Sequence, residues 1–140
     1  MTDSIHTQTK HHQDGFTLLE IMVVLVIIGV LAALIAPRFL ERADEAKVEA
    51  CKVQMKNIGQ ALKLYRLQHG KYPNSGQGLQ VLASADKSGK RYLDSIPKDP
   101  WGNAYVYLSP GVHGDFDILS YGIDGQAGGS GMDADIGNWQ

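Results

Sequence analysis

Hydrophobic and polar positions divide this chain into zones, and each change of period predicts a change of structure. From Phe16 to Ala36 the side chains are apolar almost throughout, with Thr17 and Glu20 as the polar exceptions. As a helix rising about 1.5 Å per residue, this stretch spans roughly 31 Å, the thickness of a hydrocarbon core, so it is long enough to cross a membrane once. After Pro37 the sequence turns abruptly charged, through Glu41, Arg42, Asp44, Glu45, Lys47 and Glu49. Pro37 predicts a kink at this boundary, because a proline inside a helix removes one backbone bond and crowds the preceding turn. Beyond it Val48, Cys51, Met55, Ile58, Leu62 and Tyr65 recur at spacings of three and four. That pattern predicts an amphipathic helix ending near His69, with Gly70 as its stop, and it makes Cys51 a buried small hydrophobe.

From Gly70 to Asn103 the chain is punctuated by Pro73, Gly76, Gly78, Gly89, Pro97, Pro100 and Gly102, so a loop-rich connector is expected, with a short helix through Leu79, Val81 and Leu82. Two short strands follow, Ala104–Leu108 and Phe116–Tyr121, joined across a Pro110–Gly114 turn as a hairpin. Trp101, Tyr105 and Tyr107 are expected to be the packing of that sheet. The fold class is therefore α+β, a long kinked N-terminal helix packed on a small antiparallel sheet.

Three segments result. Residues 1–15 are polar, with Lys10 the only basic side chain besides histidine, and read as a leader that is removed. Residues 16–36 form the membrane or filament-core helix, and residues 37–140 a small head that includes the amphipathic half of the helix. An ordinary secretory signal, cut near Ala33 or Ala36, suits the sequence less well: the apolar run exceeds the usual length, and Pro37 directly follows the best small-residue site.

Composition narrows the function. The 140 residues carry a net charge of −2 with basic side chains scattered along the chain, which gives no footing for nucleic acid. One cysteine excludes an intrachain disulfide. No phosphate-cradling glycine motif ends in Lys-Ser or Lys-Thr, so the chain does not hydrolyse nucleotide itself. Asp115 and Asp117 flank Phe116, and His113 stands in the preceding turn. The carboxylates read as exposed acids at a strand start rather than a catalytic pair, with His113 isolated.

Two places carry candidate chemistry. Glu20 lies in the apolar run, where a charge costs on the order of 2.5 to 3.5 kcal/mol near a membrane-helix centre, so it needs a partner. Cleavage after Gly15 would supply one, since the new α-amine on Phe16 lies four residues from Glu20, or on a neighbouring subunit. The second is the stretch from Asp124 to Asn138, where Asp124, Asp133 and Asp135 stand among five glycines. A hard, oxygen-loving cation would neutralise and close such a loop, and calcium fits better than zinc because no His or Cys is near. The alternative is a solvated Asx/Gly turn without metal. The spacing is not that of an EF-hand.

These residues together resemble a known family. Gly15-Phe16-Thr17-Leu18-Leu19-Glu20 and the apolar run are similar to the processing signal of type IV pilins and pseudopilins. Tyr72-Pro73 with Gln77-Gly78-Leu79, then Asp99-Pro100-Trp101-Gly102-Asn103, then Asp117-Ile118-Leu119-Ser120 with Gly122-Ile123-Asp124-Gly125, and Asp133-Ala134-Asp135-Ile136-Gly137-Asn138-Trp139 resemble the major pseudopilins of type II secretion systems, general secretion pathway protein G. The resemblance implies a non-enzymatic structural subunit cut between Gly15 and Phe16 by a prepilin peptidase, N-methylated at Phe16, and assembled through Glu20. It implies calcium held by the side chains of Asp124, Asp133 and Asp135 and the backbone carbonyl of Leu119. It implies a single-pass inner-membrane protein with its C-terminal domain in the periplasm. Its implied partners are copies of itself in a helical pseudopilus, minor pseudopilins, and an inner-membrane platform with a cytoplasmic ATPase. That filament would push folded proteins through an outer-membrane secretin. The leader departs from the family in carrying Asp14 beside the cleavage glycine.

The alternative function is a type IV pilin for adhesion, motility or DNA uptake, which suits a single-cysteine chain less well because many such pilins close their C-terminal region with a disulfide. A monomeric calcium-binding sensor or periplasmic enzyme is the rival from a different class.

Overall fold

A computed structural model describes Gly15–Gln140. Apart from Gly15, the segment read as a leader lies outside these residues. Contacts divide the chain into an N-terminal unit that ends at Phe39 and a unit Leu40–Gln140.

Helix α1 runs Leu18–His69, with Pro37 inside it. In the N-terminal unit the apolar side chains are uncovered, from Phe16 just before the helix at 86% exposure to Ile35 within it at 52%. None of its most apolar eighteen residues is buried, and in length and composition it can cross a membrane. A helix apolar on every side is stable only against lipid or other helices.

In the second unit α1 buries Cys51, Met55, Ile58, Gly59, Ala61, Leu62 and Tyr65, the predicted stripe joined by two small residues, with its first member, Val48, only partly buried. Gly59 faces Phe116, whose ring would lie in ordinary contact, 3.7 Å, from a Cβ at that position. The helix stops at Gly70, whose φ of +74° suits a residue without Cβ and whose N–H donates to the Arg66 carbonyl at 2.7 Å. His69 stacks on Tyr65 with ring centroids 4.0 Å apart, closing the last turn. Helix α2, Gln80–Ala83, is a single turn that buries Leu82, with Leu79 buried just before it. The Leu82 carbonyl accepts the N–H groups of Tyr92 and Leu93, both at 2.9 Å, which folds the connector back on itself.

Three strands form one antiparallel sheet in the order β1 (Val106–Leu108), β2 (Asp117–Ser120), β3 (Ile136–Gly137). Val106 pairs with Leu119 and Leu108 with Asp117, while Leu119 and Ser120 face Gly137 and Ile136 on the other side. The expected hairpin is present, with strands shorter than Ala104–Leu108 and Phe116–Tyr121. The third strand is new: two residues cannot display a period, so no pattern in the sequence marks β3.

The core sits between this sheet and α1, where Tyr105, Tyr107, Ile118 and Ile136 meet the helical stripe. Tyr105 and Tyr107 are packing residues, as expected, and each hydroxyl is satisfied. Tyr107 donates to the Pro73 carbonyl at 2.8 Å, and Tyr105 reaches Gln54 and, at 3.6 Å, the Cys51 sulfur. Burial raises the Cys51 thiol above its ordinary range, so it is a protonated core side chain. Trp101 packs partly buried against the same core.

Candidate functional site

At the N-terminal site, α1 begins directly after Thr17, and the Thr17 hydroxyl accepts the Glu20 N–H at 3.2 Å. In return Glu20 Oε2 accepts the Thr17 N–H at 2.7 Å and its hydroxyl at 3.1 Å. This is a reciprocal capping box, in which two backbone donors that a helix start leaves free are satisfied by side chains. The pattern Thr-x-x-Glu was visible in the sequence, but reading Glu20 as a charge in search of an amine hid its local role. Both hydrogen bonds of the Glu20 carboxylate fall on Oε2. Phe16 is exposed and, like Gly15, precedes the start of α1 at Leu18, so the Gly15–Phe16 peptide lies outside the helix.

At the C-terminal loop, Asp124 Oδ1 accepts the Gln126 N–H at 3.1 Å, and Asp135 Oδ2 accepts the Gly128 N–H at 2.9 Å. Asp133 closes a 3₁₀ turn, Gly131–Asp133, and Leu119 lies in β2 between Val106 and Gly137. Gly129 is required here: its φ is +90°, and a Cβ would run into the Asp133 carbonyl. Among the described residues, no three His, Cys, Asp or Glu side chains gather as a metal-binding group, so Asp124, Asp133 and Asp135 are not brought together. One observation bears on a cation nonetheless. Asp135 Oδ1 is buried without any hydrogen-bond partner, and such a carboxylate oxygen is costly unless a donor or a hard cation meets it. The donor set of carboxylates and backbone carbonyls suits calcium.

The base of this loop is held by a buried network that sequence reasoning missed. Asp99 is 4% exposed. Its Oδ1 accepts the Asn103 N–H at 2.7 Å and the Trp101 N–H at 3.1 Å, an Asx turn, and its Oδ2 accepts the Ser120 hydroxyl at 2.6 Å. The Ser120 oxygen in turn accepts the Gly122 N–H at 3.2 Å, and the Asn103 side chain donates to the Gly122 carbonyl at 3.4 Å. The turn residues Asp99-Pro100 and Gly102-Asn103 were the available signal for the turn; nothing local could show that it latches onto β2.

Asp117 corrects an expectation. It is buried rather than exposed, and His113 is not isolated. Asp117 Oδ2 accepts the Val112 N–H at 2.8 Å and lies 3.0 Å from His113 Nδ1, while the His113 ring stacks on Trp139 at 3.7 Å between centroids. Burial pushes the Asp117 carboxyl up, but the His113 ring and the Val112 and His113 amides outweigh it and hold it below the usual range. A carboxylate occupied on this many sides ties the turn to the C-terminal residues, and it is not free for acid–base work. Asp115 is exposed, as expected, and pairs with Arg66 at 3.0 Å. Asn138 completes the arrangement: its side-chain oxygen accepts the Ile118 N–H at 2.8 Å and its own N–H donates to the Ile118 carbonyl at 3.0 Å, which continues the β2–β3 ladder past its last pair.

Comparison with known proteins accounts for both ends of the chain. A family described as the prokaryotic N-terminal methylation motif matches residues 10–36, and the type II secretion system (T2SS), protein G family matches residues 38–139. A type II secretion system core protein G from Pseudomonas aeruginosa is 48% identical over 138 residues, covering 93% of this chain and 97% of its own. The Vibrio cholerae protein of the same name is 45% identical, with 91% and 92% covered. The crystal structure of the major pseudopilin from the type 2 secretion system of enterohaemorrhagic Escherichia coli superposes with a TM-score of 0.62 at 33% identity, over 71% of this chain and 92% of that one. With a methylation motif leading into a protein G domain on an uncovered apolar helix, the chain belongs to the type II secretion system protein G family.

Proposed function

We propose that this chain, as the major pseudopilin of a type II secretion system, works as a structural subunit without catalysis of its own, and that cutting between Gly15 and Phe16 switches it from a membrane-anchored monomer to a filament building block. A prepilin peptidase makes the cut and Phe16 is methylated. The apolar half of α1 then leaves lipid for a bundle of like helices, while the head stays on the periplasmic side. Minor pseudopilins and an inner-membrane platform with its cytoplasmic ATPase complete the assembly, and the secretin receives the exported protein.

Glu20 is the element that makes the switch selective. In the uncut chain the Thr17–Glu20 cap satisfies the carboxylate locally. Once Phe16 carries an α-amine, the same carboxylate gains a cationic partner on a neighbouring copy, and an opposite charge in low dielectric outweighs a neutral hydrogen bond. Calcium, held by Asp124, Asp133, Asp135 and the Leu119 carbonyl, would supply the closure of the C-terminal loop that a second cysteine supplies elsewhere.

The observation that carries this reading is the conjunction of a methylation motif over residues 10–36 with the protein G match over residues 38–139. Its test is Glu20→Ala in the full chain. The variant is expected to insert in the membrane as the parent does but to give no ladder of oligomers on chemical cross-linking; a normal ladder would remove Glu20 from the account.

A further inference from the structure

Strand β1 has one neighbour in the sheet, β2, and its other edge is open. Opposite it, Ile118 of β2 spends its N–H on Asn138 Oδ1 at 2.8 Å and its carbonyl on the Asn138 N–H at 3.0 Å, so both groups point toward β3. Tyr107 is the antiparallel partner of Ile118. In such a pair the two residues either bond each other or both turn away, so the Tyr107 N–H and carbonyl point away from β2, to the free edge. Among the described residues no hydrogen bond reaches them there; the bond that Tyr107 makes outside the sheet comes from its hydroxyl.

Ser109, two residues on and turned the same way, shows what a partner at this edge does. Its N–H donates to Ser75 Oγ at 2.9 Å, and its carbonyl accepts the Ser75 hydroxyl at 3.2 Å. One hydroxyl stands in for a strand at Ser109 and stops short of Tyr107. The connector before β1 does not close the gap either. It turns into the strand where the Asp99 N–H donates to the Asn103 carbonyl at 2.8 Å, and Pro97, two residues earlier, has no N–H with which to continue that ladder.

What remains is a groove of about 290 Å³, lined by Leu79, Ile96, Pro97 and Lys98 together with Tyr105 and Tyr107. Its one charged lining residue is Lys98, which is exposed and forms no ion pair among the described residues. An edge guarded against pairing carries a charge or a proline on the strand itself. Strand β1 reads Val-Tyr-Leu and carries neither.

We infer that the open edge of β1 at Tyr107 is a docking site for an extended, acidic peptide segment of a partner protein, which joins the sheet as an added strand. The Tyr107 N–H and carbonyl pair with the backbone of the segment, its alternate apolar side chains enter the groove, and Lys98 selects a carboxylate among them. The site lies wholly within the unit Leu40–Gln140 and stands apart from the assembly role of Glu20.

Hydrogen exchange of the full chain in micelles, with and without a short synthetic peptide of alternating valine and threonine carrying one glutamate, tests it. In the free chain the Tyr107 amide is expected to exchange more than about tenfold faster than the Ile118 amide, which Asn138 holds, and saturating peptide is expected to slow it to a similar rate. A fluorescent form of the peptide measures affinity. Methylating its backbone nitrogens, with every side chain kept, is expected to weaken binding about tenfold or more, since the ladder bonds are lost. Lys98→Glu is expected to weaken the glutamate peptide about threefold and to favour a lysine peptide instead, which shows that the variant is folded. A Tyr107 amide already slow in the free chain, equal binding of the methylated peptide, or indifference of Lys98→Glu to peptide charge would overturn the site. Protection of Tyr107 in cross-linked oligomers without peptide would overturn it too, by assigning the edge to a second copy of this chain.

Discussion

The Asp99 carboxylate accepts the Ser120 hydroxyl at 2.6 Å, with both side chains buried. This one bond joins the turn before β1 to the end of β2 and places the start of the acidic loop, since Ser120 also holds the Gly122 N–H. Asp99→Ala would strip partners from the Trp101 and Asn103 amides and from Ser120 at once, at a cost of about 3 to 5 kcal/mol. Ser120→Ala, which removes a single donor, is expected to cost about 1 to 2 kcal/mol. Urea unfolding of the full chain in detergent checks both, and equal costs would show that the network is not centred on Asp99.

Asn138 continues the sheet with its side chain. Asn138→Ala leaves the Ile118 N–H buried without a partner and should lower stability by about 1 to 2 kcal/mol, whereas Asn138→Asp keeps the acceptor and should retain most of it. Thermal melting of the two variants distinguishes them; identical midpoints would assign the loss to something other than this bond.

The capping box makes a local prediction at the other end of the chain. Thr17→Ala removes the acceptor of the Glu20 N–H and is expected to free the first turn by about 1 kcal/mol. Hydrogen exchange in micelles should then show the Glu20 amide about fivefold faster, with residues beyond the first two turns unchanged.

Calcium gives a thermal prediction. If a cation meets the buried Asp135 oxygen, saturating calcium raises the melting midpoint by several degrees, and Asp124→Ala or Asp135→Asn abolishes the rise together with the effect of a chelator. A midpoint indifferent to both calcium and chelator would leave the loop as an Asx/Gly turn.

Cys51 should resist alkylation until the chain unfolds, because it is buried and burial raises its thiol. The sign for stability follows: the folded state keeps a proton that the unfolded chain releases earlier, so this contribution is intact below the ordinary thiol range and is lost as pH climbs through and above it. Maleimide labelling against pH and urea measures both.

What could be read in the sequence was whatever had a period or a punctuation mark. The stripe from Val48 to Tyr65 is long enough for its spacing to be unambiguous, and Gly70 ends the helix where a left-handed residue is needed. The hairpin followed from alternation flanking Pro110 and Gly114. Asp117 was misread because a carboxylate in a polar stretch looks solvated; what it meets is the Val112–His113 turn, whose imidazole is stacked in turn on Trp139, far along the chain. Asp99 and Ser120 are twenty-one residues apart and each is unremarkable locally. Strand β3 exists only because β2 offers it a free edge. Contacts of this kind are set by the tertiary fold, which no local window contains.

The central claim is that cutting after Gly15 turns an anchored monomer into an assembling one, and the most direct measurement is the mass and N-terminal sequence of the protein recovered from assembled filaments. The account predicts a chain that begins at Phe16 and carries one added methyl group on its α-amine. Filaments built from chains that still carry residues 1–15 would contradict it.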